Sequence, residues 1–362
     1  MRQLELVGQG IKLVIEDNVL AVISEKPLNT ASSAFHNGGG QKQTKAILNV
    51  QVSREYGDRH LHEDPEAFIV CSAKKIGLQE SFIGMVTAAA VKNYALVSKQ
   101  DGDLGVSVVA TAADDEGNTC SHSESAGETI TVQPIEGTIN IIVVIDGNPT
   151  ESCLVSSIIT ATEAKMAALL ELDIRSRYSG DEATGTVTDA MVVAKTSRGE
   201  SIVYAGPASK LGQLVGFCTK KAVKEAVMKG LECSPKRSIQ HRLKERHLSV
   251  EKLSSELTKA KCLGADEKTL DAALNDMLNR DSVFASALLA ASELNEEFEK
   301  ERAPPQFGDG GVLGKRFGEL LSKQGVDVEK GNMVDCDGVD LPVFLKQALV
   351  ALLKNRVSEK KN

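Results

Sequence analysis

A chain of 362 residues is longer than one ordinary core organises, so two domains are expected. With 42% hydrophobic and 25% charged residues the composition is that of a folded globular protein; a net charge of −8, no tryptophan and 4% aromatics argue against a nucleic-acid or anionic-membrane partner. Seven cysteines with no CxxC pair, no apolar stretch of signal-peptide length and no run of the ~20 apolar residues that span a bilayer point to a cytoplasmic chain without a disulfide framework or membrane span.

In chain order, LELVG, IKLVIED and VLAVIS read as short strands, and KAILNVQV (45–52) follows a glycine-rich turn. DPEAFIVCSAKKIGL (64–78) has helical apolar spacing and opens on Asp-Pro, where the missing proline N–H costs nothing in a first turn. IGMVTAAA, YALVSK, GVSVVATAA and INIIVVID read as strands separated by QDGD, DDEGN and DGNP turns. The spacing predicts a helix over Thr150–Asp173 with Leu154, Val155, Ile158, Ile159, Thr162, Met166, Leu169 and Leu170 as its apolar stripe. A turn and buried strand in DEATGTVTDAMVVAK and a second long helix over 210–231 complete a mixed α+β domain, 1–232. From Leu248 on no strand pattern remains, and five apolar-periodic segments predict a smaller all-helical domain, 238–362.

Several stretches carry groups that chemistry can use. SSAFHNGGG places His36 and Asn37 before Gly38, Gly39 and Gly40, three residues whose entropy cost calls for a reason, such as close backbone approach of a substrate. A slack hairpin is the plain alternative. Neither GGGQKQTK nor GDGGVLGKRFG has Walker A spacing. RHLHED sets His60 and His62 two apart beside Glu63 and Asp64, a secondary candidate for metal ligation against an ordinary charged loop; no metal or other cofactor is assigned. In ATGTVTDA an extended chain puts Thr184, Thr186 and Thr188 on one face and Asp189 on the other, entering an apolar strand where a carboxylate can serve as base. TATEAK sets Thr162, Glu163 and Lys165 on or beside the stripe of the long helix, either facing a site or solvent. No G-x-S-x-G, HExxH or CxxC pattern is present.

Taken in order, SSAFHNGGG with KAILNVQV, GMVTAA, GTINIIVVID, SSIITATEAKMAALLELDI, ATGTVTDAMVVA and YAGPASKLGQLVG resemble the CbiZ family, the adenosylcobinamide amidohydrolases, over about residues 5–230. The resemblance implies hydrolysis of the amide joining aminopropanol to the corrin ring, giving adenosylcobyric acid, with a corrinoid as the small-molecule partner. Amide hydrolysis needs an activated nucleophile and a stabilised oxyanion. On residue chemistry His36, Asn37, Glu163, Thr186, Thr188 and Asp189 are the catalytic candidates, Thr186 or Thr188 being the nucleophile and Asn37, Asn140 and the glycine N–H groups the oxyanion donors. Ser33, Gly38, Gly39, Gly40, Asn49, Thr87, Asn140, Thr162, Lys165, Thr184 and Lys210 are the candidates for reading corrin carboxamides. The alternatives are a non-catalytic corrinoid-binding protein and a bifunctional salvage enzyme. In the second domain DAALNDMLNRDSVFASALLAASELNEEFEK, VLGKRFGELLSKQGV and LPVFLKQALVALLKNRV resemble the helical α-ribazole phosphatase (CobZ) and phosphatidylglycerophosphatase A family, but Gly310-Gly311 and Lys346-Gln347 stand where that resemblance implies acidic pairs to hold a cation. It is therefore read as a degenerate relative serving structure, oligomerisation or substrate handover; homo-oligomerisation is left open.

Overall fold

The computed structural model describes residues 2–52, 64–79, 81–112, 119–120, 138–176, 178–186, 188–230, 237–259, 265–321 and 341–359. The chain forms two compact units, Met1–Lys236 and Arg237–Asn362. His60, His62 and Glu63 lie outside the described residues. The first unit is α+β and the second is helical wherever it is described.

The strands of the first unit are β1 (Arg2–Glu5), β2 (Ile11–Glu16), β3 (Val19–Ser32), β4 (Gly39–Gln51), β5 (Phe82–Thr87), β6 (Ala95–Asp101), β7 (Leu104–Ala112), β8 (Thr119–Cys120), β9 (Ile139–Asp146), β10 (Asn148–Pro149), β11 (Gly185–Thr186), β12 (Ala190–Lys195) and β13 (Ser201–Ile202). The main sheet runs β1-β2-β3-β12-β9-β7-β6, with β4 on the other edge of β3 and β5 beyond β4. Strand β3 is 14 residues long, and its two halves pair along one edge with different partners, β2 and then β12. Most connections are antiparallel, but β9 and β12 pair in parallel, as do β4 and β5.

The sheet folds over itself. Ile142 and Val144 of β9 pack with Leu20, Val22, Ile47, Ile83 and Met85 from the β3–β5 half. Their neighbours Ile141, Val143 and Ile145 face the opposite way, onto α2 (Glu151–Glu171) and α3 (Lys210–Gly230). Strand β9 is thus buried on both sides, which is why INIIVVID reads as an unbroken apolar run. The outer face of β3 and β4 is covered by Ile69 and Ala73 of α1 (Pro65–Lys75), giving four layers. Asp64 caps α1 by accepting from Ala67 N at 2.8 Å, so this carboxylate serves the helix end.

The expected stripe of α2 needs correction. Its buried face is Cys153, Leu154, Ser157, Thr160, Ala161, Ala164, Lys165, Ala168 and Leu169, while Val155, Ile159 and Leu170 are 53%, 58% and 48% exposed. The cause is packing distance. Small residues let the helix lie close to the sheet and α3, and the larger aliphatics are turned outward. By length and hydropathy α2 is apolar enough to cross a membrane, and 44% of that apolar window is buried within the protein.

Lys220 and Lys224 of α3 clamp Glu171 at the end of α2 and hold its carboxyl down at about 2 instead of 4.5. A lowered folded-state value means the clamp acts in full above the ordinary carboxylate range and is lost as pH falls from 4.5 through about 2. Side-chain NMR titration is expected to show a Glu171 midpoint near 2, well below that of an unpaired glutamate. Lys220→Met with Lys224→Met should return it to the ordinary value; an unshifted midpoint in the parent protein would refute the clamp.

The second unit contains α4 (Ile239–Glu245), α5 (Val250–Lys259), α6 (Glu267–Arg280), α7 (Ser282–Glu299), α8 (Gly311–Leu321) and α9 (Val343–Glu359). Ser238, Asp266 and Asp281 cap the starts of α4, α6 and α7. Leu270, Ala273, Leu274 and Met277 form the expected inward face of α6. Helices α8 and α9 approach closely, because a Cβ on Gly314 or Gly318 would meet Phe344 O at 2.2 Å or Ala348 O at 2.4 Å.

Candidate active site

Polar side chains gather where β9 and β12 begin, at the end of the sheet where β3 finishes. The turn carrying Thr186 does not stay extended; it folds back so that Asp189 accepts from four donors. Thr186 N lies 3.2 Å from Oδ2 and Ile139 N lies 3.0 Å from Oδ1, while the Thr186 hydroxyl and Lys165 Nζ complete the set. Thr184, Thr186 and Thr188 therefore do not form a common row opposite Asp189. The Lys165 ammonium and Asp189 carboxylate form an ion pair with side chains 9% and 18% exposed. Gly185 makes the room: a Cβ there would sit 2.6 Å from Asp189 Oδ2 and 2.8 Å from Lys165 Nζ. Beside this pair the hydroxyls of Thr138 and Thr188 are 2.7 Å apart, Thr138 buried and Thr188 exposed.

A second, fully buried group continues from it. Asn140 donates to Asn49 Oδ1 and to Val86 O, both at 2.8 Å, and accepts from Ala190 N at 3.1 Å. Asn49 in turn donates to Thr111 Oγ1 at 2.8 Å. Both amide hydrogens of Asn140 are thereby committed within the protein. This residue latches the outer edge of β5 to β9, which is a different job from donating to an oxyanion.

The glycine turn sits on the same β5 edge. His36 and Gly84 exchange backbone hydrogen bonds at 3.0 Å, two residues before the Val86 carbonyl held by Asn140. The His36 ring is fixed between Glu66 Oε1 on Nδ1 and Asn37 Nδ2 on Nε2, each at 2.9 Å. Asn37 donates its other hydrogen to Phe82 O at 3.0 Å. With Asn37 donating, Nε2 accepts and the proton of neutral His36 is on Nδ1, facing Glu66. Both nitrogens are engaged, so the ring is placed to fix the turn. Ser33 exchanges hydrogen bonds with Met191, two residues from Asp189, and so ties this turn to the first cluster.

The three glycines differ in duty. A Cβ on Gly38 would lie 2.0 Å from Ala34 O, Gly39 has φ +107°, and nothing lies within 4 Å of a Cβ on Gly40. Gly38→Ala is expected to lower stability by about 1–3 kcal/mol, because the clashing atom is backbone of the same turn. Gly40→Ala should be nearly neutral. Paired thermal melts check this, and equal midpoints for both variants would refute it.

The other sequence candidates stand apart or serve the scaffold. Glu163 is exposed on α2, and Lys210 pairs with Asp101 at 3.2 Å on the surface. Thr162 bonds back to Ile158 O at 2.8 Å, and Thr87 caps a turn by accepting from Ala89 N at 3.0 Å. Sequence reasoning missed Thr138, Thr111 and Glu66. Thr138 stood inside the GTINIIVVID stretch, one residue before an apolar run, and only its position at a strand start beside Asp189 marks it out. Among the described residues no three His, Cys, Asp or Glu side chains group to hold a metal ion.

Comparison with known proteins gives this cluster a context. A family model described as CbiZ, adenosylcobinamide amidohydrolase, matches residues 6–235. An adenosylcobinamide amidohydrolase of Methanosarcina mazei is 30% identical over 203 residues, covering 54% of this chain and 84% of the relative. An uncharacterized protein of Methanocaldococcus jannaschii is 30% identical over 206 residues, covering 52% and 79%. Among solved structures, the l-aminopeptidase d-Ala-esterase/amidase of Ochrobactrum anthropi, described as a variant of the Ntn hydrolase fold, aligns with 61% of this chain and 83% of its own at 12% identity. Its TM-score is 0.29, a likeness too slight to carry any argument. The family match over most of the first unit is what decides, and the chain belongs to the CbiZ family of adenosylcobinamide amidohydrolases.

Proposed function

We propose that the first unit hydrolyses the amide joining aminopropanol to the corrin ring of adenosylcobinamide, releasing adenosylcobyric acid for cobamide assembly in the cytoplasm. The observation that carries this reading is the Lys165–Asp189 pair set among threonine hydroxyls at the strand ends of a family amidohydrolase. An attacked amide develops negative charge on its oxygen, and a fixed cation in a partly dehydrated site stabilises it more than water does. Lys165 supplies that cation. Asp189, with its acceptor positions filled, aims Lys165 and Thr186. The rim offers polar partners for carboxamides at Ser33 and Thr188, and Phe35, 63% exposed beside His36, offers an apolar face to the macrocycle.

Incubation of the purified protein with adenosylcobinamide should yield cobyric acid and aminopropanol. Tight binding with no turnover across pH would overturn hydrolysis and favour a corrinoid-binding protein. Turnover should also survive exhaustive chelation, since Lys165 supplies the positive charge and the groups named need no metal ion; loss that a divalent ion restores would refute a metal-free site. The helical unit is read as non-catalytic, supported by Gly310-Gly311 and Lys346-Gln347 where a phosphatase needs carboxylates. Phosphate release from α-ribazole phosphate with added divalent metal would overturn that.

A further inference from the structure

We propose that Thr138 is the nucleophile, and that it acts as the first residue of its own polypeptide after the chain cuts itself between Gly137 and Thr138. The nucleophile part rests on the amide-hydrolase reading above; the cut does not. Thr138 is 1% exposed, and its hydroxyl meets that of Thr188, which is exposed, so the pair lies one hydroxyl below the surface. The next residue's N–H is held 3.0 Å from Asp189 Oδ1, which sets the start of β9 against the Lys165–Asp189 pair. In repeated turnover a threonine hydroxyl attacks a substrate amide only when a base takes its proton, a demand that a single intramolecular shift within the chain does not share. Among the described residues no imidazole, amine or carboxylate bonds to Thr138, and Asp189 is already filled by four donors. An α-amine on Thr138 itself is the base that this geometry has room for, and a threonine paired with its N-terminal amine is a known form of activated nucleophile.

The connectivity permits a cut there. Strands β7 and β9 are antiparallel neighbours paired from Gly105↔Asp146 to Ala112↔Ile139, yet residues 113–138 join them, where two to five residues are usual for a hairpin. The sheet is held by that pairing and by β12 on the far side of β9, so it does not depend on the connection. In the sequence the residue before the threonine is Gly137, which has no side chain to obstruct attack at that bond.

The step balances with water alone. Thr138 Oγ attacks the Gly137 carbonyl carbon, the C–N bond to Thr138 breaks, and the nitrogen takes up the hydroxyl proton, leaving an ester. Water then hydrolyses the ester to a Gly137 carboxylate and a Thr138 bearing a free hydroxyl and α-amine. In turnover the amine accepts the Oγ proton, Oγ attacks the substrate amide, aminopropanol leaves with that proton, and water releases the acid.

Intact mass measurement of the purified full-length product tests this. Two polypeptides are expected, residues 1–137 and 138–362, running together on gel filtration, with Thr-Ile-Asn-Ile as the start of the second. Thr138→Ala should remain one chain and show no turnover, while Thr138→Ser should still be cut and active. A single uncut chain of full mass, or a Thr138→Ala variant that is cut or hydrolyses adenosylcobinamide, overturns the proposal. A chain cut at this bond that leaves adenosylcobinamide intact would instead refute the substrate reading and leave the cut standing.

Discussion

Asp189→Ala is expected to abolish amide hydrolysis and to destabilise the first unit by about 3 kcal/mol, the lower end of the usual cost of removing one partner of a buried ion pair. The lower end applies because the Asp189 side chain keeps 18% exposure. At about 2–4 °C per kcal/mol for a unit of this size, the thermal midpoint should fall by roughly 10 °C. The carboxylate serves four donors from three segments: Lys165 of α2, Ile139 at the start of β9, and the N–H and hydroxyl of Thr186. Removing it leaves Lys165 buried without a counter-charge and frees the turn that carries Thr186. Asp189→Asn separates shape from charge. Either orientation of the amide turns its NH2 toward a donor, Ile139 N–H on one side or Lys165 and Thr186 N–H on the other, so it too should lose stability. Lys165→Met should behave differently, keeping Asp189 bonded to Ile139 and Thr186 while removing the cation. Its turnover loss should exceed what its melting point suggests. Circular-dichroism melts beside cobinamide turnover decide the matter. An Asp189→Ala variant with parental midpoint and rate would remove this cluster from both fold and chemistry.

How much of this was legible in the sequence depends on what each signal measures. The strands β7, β9 and β12 and the helices α1 to α3 were readable because periodicity and turn residues report local geometry. The face of α2 was misread, since Val155, Ile159 and Leu170 look like core by hydrophobicity while the helix is seated by Ala161, Ala164 and Ala168. Close packing selects for small side chains, and a hydrophobic pattern alone does not register that. At the site, Asp189, Thr186 and Lys165 were singled out, but their meeting was not, because residues 24 positions apart come together only when α2 lies back on the sheet. Asn49 and Asn140 were candidates for reading corrin carboxamides, Asn140 also for donating to the oxyanion. That they satisfy each other, and so are spent, follows from the sheet folding over itself, a long-range event with no local trace.

Asn140→Ala supplies the second large effect and distinguishes a latch from an oxyanion donor. Truncation leaves Asn49 Oδ1, Val86 O and Ala190 N without their partner in the interior. Each orphaned group costs about 1–3 kcal/mol, so the three together put the expected loss for the unit at about 3–9 kcal/mol. Asn140→Asp should be no milder, because it replaces the amide hydrogens by an oxygen facing two acceptors. The loss should be local in origin: amides of β5 should exchange faster than those of β9, since β5 loses its tie at Val86 while β9 keeps β7 and β12. An oxyanion donor behaves otherwise, costing about 10²–10³-fold in turnover with little change in stability. Measured well below the variant's melting point, the folded fraction of Asn140→Ala should retain turnover within about tenfold of the parent, short of the donor range. A parental melting point with turnover down a hundredfold or more would return Asn140 to the reacting amide and require its hydrogen bonds to rearrange when substrate binds.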